Sequence, residues 1–129
     1  MNILIIEDDT VTLKVLTHLV KSLGHTVTSA TNAEEAINKI LSGKYDVVLS
    51  DIMMPGISGL SLVSILRSVH LCTTPIIVMS VLNDEPLLQA AYDAGANDFL
   101  SKPISPEKLA SKLEKFEKPE ATGSNEPNK

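Results

Sequence analysis

Short runs of mostly aliphatic residues constrain the fold of this chain more than any other feature. They occupy residues 3–6, 47–49 and 75–80. Continuous runs of this length are typical of strands that are buried on both faces of a parallel sheet. Two weaker strand patterns lie at residues 25–30, where Thr and Val alternate, and at residues 98–100. The chain therefore contains five candidate strands.

Helical patterns separate these strands, because apolar residues recur after each of them at the spacing of one helix face. Candidate N-caps are Thr10, Asn32, Asp84 and Ser105, and three helices are expected to end at Gly24, Gly43 and Gly95. The predicted inner faces include Val11, Val15, Leu16, Leu19, Val20 and Leu23 in the first helix, and Leu62, Val63, Leu66 and Val69 in the third. Five strands alternating with five helices predict an α/β fold, a doubly wound parallel sheet with helices on both faces.

Polar side chains follow the predicted strands at the points where the strands end. Asp8 and Asp9 follow the first strand, Asp51 follows the third, Ser80 ends the fourth and Lys102 follows the fifth. The carboxyl ends of parallel strands meet at one edge of the sheet, where such folds bind ligands. We therefore expect three carboxylates, a hydroxyl and an ammonium to share one shallow pocket.

Three clustered carboxylates repel one another and need a cation, and an all-oxygen ligand set suits Mg²⁺. No Cys and His set suited to zinc is present, because Cys72 and the three His are scattered. A metal, a lysine and a hydroxyl together suit a phosphoryl group, and Asp51 could be its nucleophilic acceptor. Asp8 and Asp9 could instead cap the first helix. Pro55, Gly56 and Gly59, in the loop after Asp51, are typical turn formers.

The composition excludes several other classes of function. The 129-residue chain carries a net charge of −5, which disfavours nonspecific binding to nucleic acids or anionic membranes. No apolar run approaches the length of a membrane span. The single cysteine cannot form an internal disulfide, which fits a reducing cytoplasm. We therefore expect a cytoplasmic protein.

Four segments, IIEDD, VVLSDIMMPGISG, PIIVMS and FLSKPIS, occur in this order along the chain. Together they resemble the response-regulator receiver domain of two-component signalling, of the chemotaxis-protein type. The resemblance covers residues 2 to about 117 and implies the flavodoxin-like strand order 2-1-3-4-5. We accordingly assign residues 1–117 to a receiver domain and residues 118–129 to a polar linker or disordered tail.

The resemblance also implies roles for the acidic residues. Asp51 would accept a phosphoryl group from a histidine kinase or phosphotransfer protein. Asp9 and Asp51 would bind Mg²⁺ together with the backbone carbonyl of Met53, and Asp8 would bind it directly or through water. Glu7 would be peripheral to the site.

In such a domain Lys102 would pair with the phosphoryl oxygens and join Pro103 through a cis peptide bond. Ser80 would turn toward the phosphoryl group, and Phe99, expected to be half-exposed, would move inward behind it. The change would reach the surface of the fourth helix, fifth strand and fifth helix and control an effector. The chain would thus be a signalling switch rather than an enzyme, catalysing only its own phosphorylation and slow dephosphorylation.

Three other functions fit the sequence less well. An aspartate-dependent phosphohydrolase usually has a second acid two residues after the nucleophile, where this chain has Met53. A flavodoxin-like cofactor binder needs a phosphate loop after the first strand, where the acidic EDDT segment stands. A pseudo-receiver that only binds proteins would not need the full set of acids with Ser80 and Lys102.

Two further expectations concern the lifetime of the phosphoryl group and the output of the domain. Met53 and Leu82 are apolar at positions where relatives with fast self-hydrolysis tend to have polar groups, so we hypothesise a long-lived phosphoryl group. The polar tail fits either a free-standing receiver or a linker to an effector domain, and slightly favours the linker. Mixed Lys and Glu faces on the last two helices would permit homodimerisation upon phosphorylation.

Overall fold

A computed structural model describes residues 1–54 and 56–117. Its strands are β1 (Asn2–Ile6), β2 (Thr26–Ala30), β3 (Val47–Asp51), β4 (Ile76–Ser80) and β5 (Asp98–Ser101). Its helices are α1 (Thr10–Ser22), α2 (Ala33–Ser42), α3 (Gly59–Ser68), α4 (Glu85–Ala94) and α5 (Pro106–Glu114). Every predicted strand and helix is present, with ends that differ by one or two residues from the sequence patterns. The predicted tail, residues 118–129, lies outside the described residues.

All strand pairs are parallel, and the strand order is β2-β1-β3-β4-β5. The predicted doubly wound, flavodoxin-like sheet is therefore confirmed. The order reverses between β1 and β3, so the carboxyl ends of these two strands flank the crevice in which such sheets bind ligands. Within the described residues, no helix is long and apolar enough to cross a membrane.

The core consists of two aliphatic layers, one on each side of the sheet. Alternate strand residues point to opposite faces, so Leu4 and Ile6 pack toward α2, α3 and α4 while Ile3 and Ile5 pack toward α1 and α5. All four of these side chains are fully buried. This two-sided burial explains why the strand lacks a polar–apolar alternation.

Several predicted core residues are exposed instead, among them Leu23 at the end of the first helix. Val11 and Val15 lie on the outer side of α1, where only Leu16 and Val20 are fully buried, and Val69 follows the last turn of α3. The apolar stripe of α1 is wider than the surface that the sheet covers. Val11 and Val15 therefore form an apolar strip on the surface of the protein.

Most of the helix caps follow the sequence. Asn32, Asp84 and Ser105 each accept a hydrogen bond from the backbone N–H three residues later, as predicted. At α1 the prediction of Thr10 is wrong, because the capping side chain is that of Asp9. The cap therefore lies one residue earlier in the chain than predicted.

Candidate functional site

Asp51 is the last residue of β3 and is only 3% exposed. The strand direction continues for one more residue, since the N–H of Ile52 donates to the carbonyl of Met79 at 2.9 Å. One carboxylate oxygen of Asp51, Oδ1, accepts a hydrogen bond of 3.2 Å from the N–H of Met53. The carboxylate is thus held at the carboxyl edge of the sheet by the loop that follows it.

Gly59 fixes that loop, a role that its assignment as a turn former does not capture. Its N–H donates to the carbonyl of Ile52 at 2.8 Å, which closes the loop at the first residue of α3. A Cβ atom at Gly59 would lie only 2.6 Å from the Cα of Ile52. Only glycine lets α3 begin this close to the end of β3.

Glu7, Asp8 and Asp51 form an acidic group whose carboxylate oxygens lie within 4.8 Å of one another. Asp8 is half-buried, whereas Glu7 is as inaccessible as the core, with 1% exposure. The expectation that Glu7 is peripheral is therefore wrong. The chain enters the acidic pocket directly from the last residue of β1, so the first acid after the strand is the most deeply buried.

Asp9 belongs to the end of α1 and not to this acidic group. Its Oδ2 accepts hydrogen bonds from the N–H of Thr12 at 2.9 Å and from the Thr12 hydroxyl at 2.5 Å. These hydrogen bonds lower the pKa of Asp9, with the hydroxyl contributing most. The helix start thus takes up the carboxylate that the sequence pattern assigned to the metal, and Glu7 replaces Asp9 in the acid set.

Lys102 connects the residue after β1 with the last residue of β3 at this pocket. Its Nζ lies 2.7 Å from Oε1 of Glu7 and 3.3 Å from Oδ1 of Asp51. Burial alone would lower the pKa of Lys102, but the hydrogen bond with Glu7 and the charge of Asp51 outweigh it, so the pKa is raised. Lys102 is therefore held as an ammonium ion beside Asp51.

The pocket remains acidic despite Lys102. Burial raises the pKa of Glu7, and its hydrogen bond with Lys102 opposes that effect. Three clustered carboxylates face one ammonium in this part of the described structure. An all-carboxylate donor set with excess negative charge fits a hard divalent cation such as Mg²⁺.

Ser80 is the last residue of β4, which pairs with β3, and Phe99 lies on β5, which pairs with β4. The hydroxyl of Ser80 is fully buried and accepts a 3.0 Å hydrogen bond from the N–H of Leu82. Phe99 is 7% exposed, so the expectation of a half-exposed ring is wrong. The ring is already buried in this conformation. The predicted cis peptide between Lys102 and Pro103 is confirmed.

The acidic pocket is open, with a volume of about 290 Å³. Its lining comprises Glu7, Asp8, Asp9, Asp51, Met53, Val81 and Lys102. Met53 and Val81 are exposed and form an apolar rim at its mouth. The buried carboxylate of Asp51, the ammonium of Lys102 and the acidic group thus meet in one shallow opening, which is large enough for a phosphoryl group.

The fold and the pocket define the class of the two-component signalling receivers, and comparison with known proteins gives the family. Residues 3–114 match the family described as response regulator receiver domain. This match covers most of the chain, which therefore belongs to the receiver family. Receiver domains are generally signalling switches rather than enzymes.

Relatives with similar sequences are longer than this chain. The transcriptional regulatory protein KdpE of Staphylococcus aureus is 38% identical over 116 residues, which are 90% of this chain and 49% of that protein. A cyclic di-GMP phosphodiesterase of Thermotoga maritima is 34% identical over 113 residues, 88% of this chain and 30% of that protein. The chain thus spans half or less of the length of these two relatives.

Solved structures of similar domains match nearly end to end. A two-component response regulator from Clostridium difficile has a TM-score of 0.84 at 32% identity, covering 90% of this chain and 94% of the other. The chemotaxis protein CheY4 of Vibrio cholerae has a TM-score of 0.84 at 26% identity, covering 90% and 98%. The receiver fold therefore accounts for the described part of this chain.

Proposed function

We propose that this chain is a phosphorylation-activated switch in which Asp51 accepts the phosphoryl group. The contact that carries the proposal is the placement of Lys102 against both Glu7 and Asp51, which keeps a cation 3.3 Å from the acceptor carboxylate. A free carboxylate repels an incoming phosphoryl group, and the ammonium offsets that repulsion. The same ammonium can then pair with the phosphoryl oxygens of the product.

Asp8 and Asp51 are the proposed Mg²⁺ ligands, with the carbonyl of Met53 as a third. Glu7, the remaining member of the acidic group, would act on the ion through its charge or through water, because its Oε1 already pairs with Lys102. Bound Mg²⁺ would neutralise charge on the phosphoryl oxygens. Asp9, the ligand that the resemblance implies, lines the same pocket but caps α1 through Oδ2 and lies outside the acidic group, so this proposal ranks it behind Asp8.

The phosphodonor is a histidine kinase or a phosphotransfer protein in this proposal. During transfer, a carboxylate oxygen of Asp51 forms a bond to phosphorus while the bond from phosphorus to the donor's imidazole nitrogen breaks. The phosphorylated side chain gains negative charge and acceptor oxygens that the Ser80 hydroxyl can reach. The acceptor is then an acylphosphate, and the imidazole leaves as the donor's ordinary side chain.

An apolar groove beside the acidic pocket supports docking of this donor. It has a volume of about 380 Å³ and is lined by Val11, Thr12, Val15, Leu16, Val81, Lys102, Pro103 and Ile104. Val81 and Lys102 line both the groove and the acidic pocket. A donor that buries the exposed Val11 and Val15 would therefore bring its phosphoryl group close to Asp51.

The output of the switch is an effector domain or protein controlled through the surface of α4, β5 and α5. Residues 1–117 are the proposed receiver unit, and a cytoplasmic location is part of the proposal. The transcriptional regulators among the relatives favour an output in gene control. Homodimerisation through the last two helices would be one way to transmit the signal.

Incubation with Mg²⁺ and acetyl phosphate, followed by intact-protein mass spectrometry, tests the acceptor assignment. The wild-type protein should gain one phosphoryl group, and Asp51→Asn should gain none. Asp9→Asn is the matched control, because its carboxylate caps a helix, and it should still be phosphorylated. A normal yield in Asp51→Asn, or in wild-type protein with Mg²⁺ chelated, would refute the proposal.

A further inference from the structure

Arg67, in the last turn of α3, makes four hydrogen bonds that join separate segments of the chain. Its Nε donates to the carbonyl of Gly95 at 3.0 Å, and its Nη1 donates to the carbonyls of Cys72 and Thr74 at 2.8 and 2.7 Å. Its Nη2 donates to Oδ1 of Asn97 at 2.7 Å. The rigid guanidinium therefore holds α3, the segment before β4 and the end of α4 in one arrangement.

Asn97 extends this connection into the sheet. Its Oδ1 also accepts from the N–H of Ile76 at 2.9 Å, and its own N–H donates to the carbonyl of Ile76 at 2.8 Å. Gly95 has φ +116°, and a Cβ there would lie 2.6 Å from Cγ of Arg67. The carboxyl end of α4 is thus packed on the stem of Arg67 and tied to the first residue of β4.

The amino end of α4 is held much more weakly. Residues 81–86 are all exposed, whereas Ala91 and Ala96 at the other end are buried. Two side-chain contacts tie the exposed segment to the strands: the N–H of Leu82 donates to Oγ of Ser80 at 3.0 Å, and Nδ2 of Asn83 donates to Oγ of Ser101 at 3.3 Å. The two ends of α4 therefore differ in how firmly the rest of the fold holds them.

We propose that Arg67 makes the carboxyl end of α4 a fixed pivot, about which the amino end, tethered to Ser80 through the N–H of Leu82, moves when Ser80 turns toward a phosphoryl group on Asp51. This inference rests on the proposed function, because the release step needs a phosphoryl group on Asp51. When Ser80 turns to donate its hydroxyl proton to a phosphoryl oxygen, Oγ moves away from the N–H of Leu82. The amino half of α4 is then free to swing while Arg67 holds the other end.

Arg67 is a positioning residue in this scheme, since it touches neither the phosphoryl group nor Asp51. Lysine at this position keeps the positive charge but cannot reproduce the planar fork that serves four acceptors. The four hydrogen bonds of Arg67 are called the clasp here. The Arg67→Lys variant therefore separates the geometry of the clasp from its charge. The Ser80→Ala variant removes the tether without touching the clasp.

Amide hydrogen exchange along α4, measured without any phosphoryl group, tests the two halves independently. In Arg67→Lys, amides of residues 91–97 should exchange about tenfold faster while those of residues 87–89 stay unchanged. In Ser80→Ala the pattern should reverse, with faster exchange confined to residues 82–89. Uniform acceleration along α4 in both variants, or no change at residues 91–97 in Arg67→Lys, would overturn the pivot.

Two further variants guard against a general loss of stability. Asn97→Asp keeps an oxygen acceptor for Arg67 and should leave residues 91–97 protected. Asn97→Ala removes one of the four acceptors of Arg67, together with the side-chain acceptor of the Ile76 N–H, and should give a smaller change than Arg67→Lys in residues 91–97. Equal effects of these two Asn97 variants would contradict the clasp even if Arg67→Lys failed to fold.

The release step is tested with Mg²⁺ and beryllofluoride as a phosphoryl mimic. In the wild-type protein the exchange response should be confined to residues 81–89, and in Arg67→Lys it should extend to residues 91–97. A wild-type response that is equal at both ends of α4 would overturn the hinge. Absence of a bound-fluoride signal in ¹⁹F NMR would instead contradict the proposed function and the release step. The pivot would still be decided by the exchange measurements made without beryllofluoride.

Discussion

The ammonium group of Lys102 lies 2.7 Å from the carboxylate of Glu7, although 95 residues separate them in the chain. This contact brings the residue after β1 and the residue after β5 together across the ends of β3 and β4. It also assigns Glu7 a structural task, because the buried carboxylate holds the lysine that faces Asp51. The stability of the acidic pocket should therefore depend on Lys102 and on cations.

Replacing Lys102 with methionine should destabilise the cation-free protein by about 2–4 kcal/mol, because three clustered carboxylates lose their counter-charge. Mg²⁺ binds the folded acidic pocket and should restore part of this loss. Urea denaturation with and without Mg²⁺ measures both effects. Lys44→Met, at an exposed position, is the control and should change the free energy of unfolding little. An unfolding free energy of Lys102→Met that does not respond to Mg²⁺ would contradict the cation site.

Polar side chains at positions 53 and 82 should shorten the life of the phosphoryl group. Met53 and Leu82 are both exposed and apolar, so neither can orient an attacking water. The double variant Met53→Asn with Leu82→Glu should lose its phosphoryl group about tenfold faster, which corresponds to about 1.4 kcal/mol in the barrier. The decay of phosphorylated protein measures this. Rapid decay in the wild-type protein, unchanged in the double variant, would contradict the hypothesis.

Close packing at Gly59 should make it intolerant of even one methyl group. Gly59→Ala would place Cβ 2.6 Å from the Cα of Ile52, and the backbone must shift to relieve the clash. We expect a loss of about 1–3 kcal/mol in thermal or denaturant unfolding, and slower phosphorylation because the loop after Asp51 moves. Ser64→Ala, on the exposed side of the same helix, should be nearly neutral in both measurements. Full stability and phosphorylation in Gly59→Ala would show that the loop does not need this contact.

The ion pairs of Asp98 should make stability depend on pH in the acid range. Asp98 Oδ1 lies 2.6 Å from Nζ of Lys112, and Oδ2 lies 3.6 Å from Nζ of Lys115. Burial alone would raise the pKa of Asp98, but the hydrogen bonds with Lys112 and with the N–H of Phe99 hold it below its ordinary value. A lowered pKa in the folded state adds stability above the unfolded pKa, and this stability is lost as pH falls through the folded value.

Asp98→Asn should therefore lower the free energy of unfolding by about 1–3 kcal/mol at neutral pH. The difference from the wild-type protein should shrink as the pH falls below about 4. Asp93→Asn, at an exposed position on α4, should show neither effect. Denaturant titrations at several pH values give these differences. A deficit in Asp98→Asn that stays constant across the pH range would rule out the ionised carboxylate as its source.

The arrangement of the sheet follows from local patterns that the sequence displays. Residues 3–6 show no alternation because both faces of β1 are covered, and that feature alone indicates a parallel sheet. The rule that ligands bind at the carboxyl ends of strands then places Asp51 and Lys102 together. Both parts of the prediction depend only on strand direction, which is why they could be made without coordinates.

The details of the acidic pocket depend on a competition that spacing does not resolve. Three consecutive acids follow β1, and the fold must send one of them to the start of α1. Asp9 takes that place because the N–H and hydroxyl of Thr12 lie within its reach, which leaves Glu7 and Asp8 to form the acidic group with Asp51. Thr12, three residues after Asp9, is the sequence signal that could have identified Asp9 as the cap.

Exposure of helix residues was similarly hard to predict. Val11 and Val15 have the spacing of a core face, and only the position of the β5–α5 connection determines that they line a surface groove. No sequence pattern indicated the role of Arg67, because its acceptors are backbone carbonyls of other segments together with the side chain of Asn97. Contacts of this kind depend on the packed structure and leave little trace in residue patterns.

The most direct test of the account is the location of the phosphoryl group. Protein phosphorylated with Mg²⁺ and acetyl phosphate can be reduced with borohydride, which converts an aspartyl phosphate to homoserine, and then mapped by peptide mass spectrometry. We predict homoserine at residue 51 and at no other position. Homoserine at position 8 or 9, or a stable phosphate ester on Ser80 with Asp51 unmodified, would contradict the assignment of Asp51 as the acceptor.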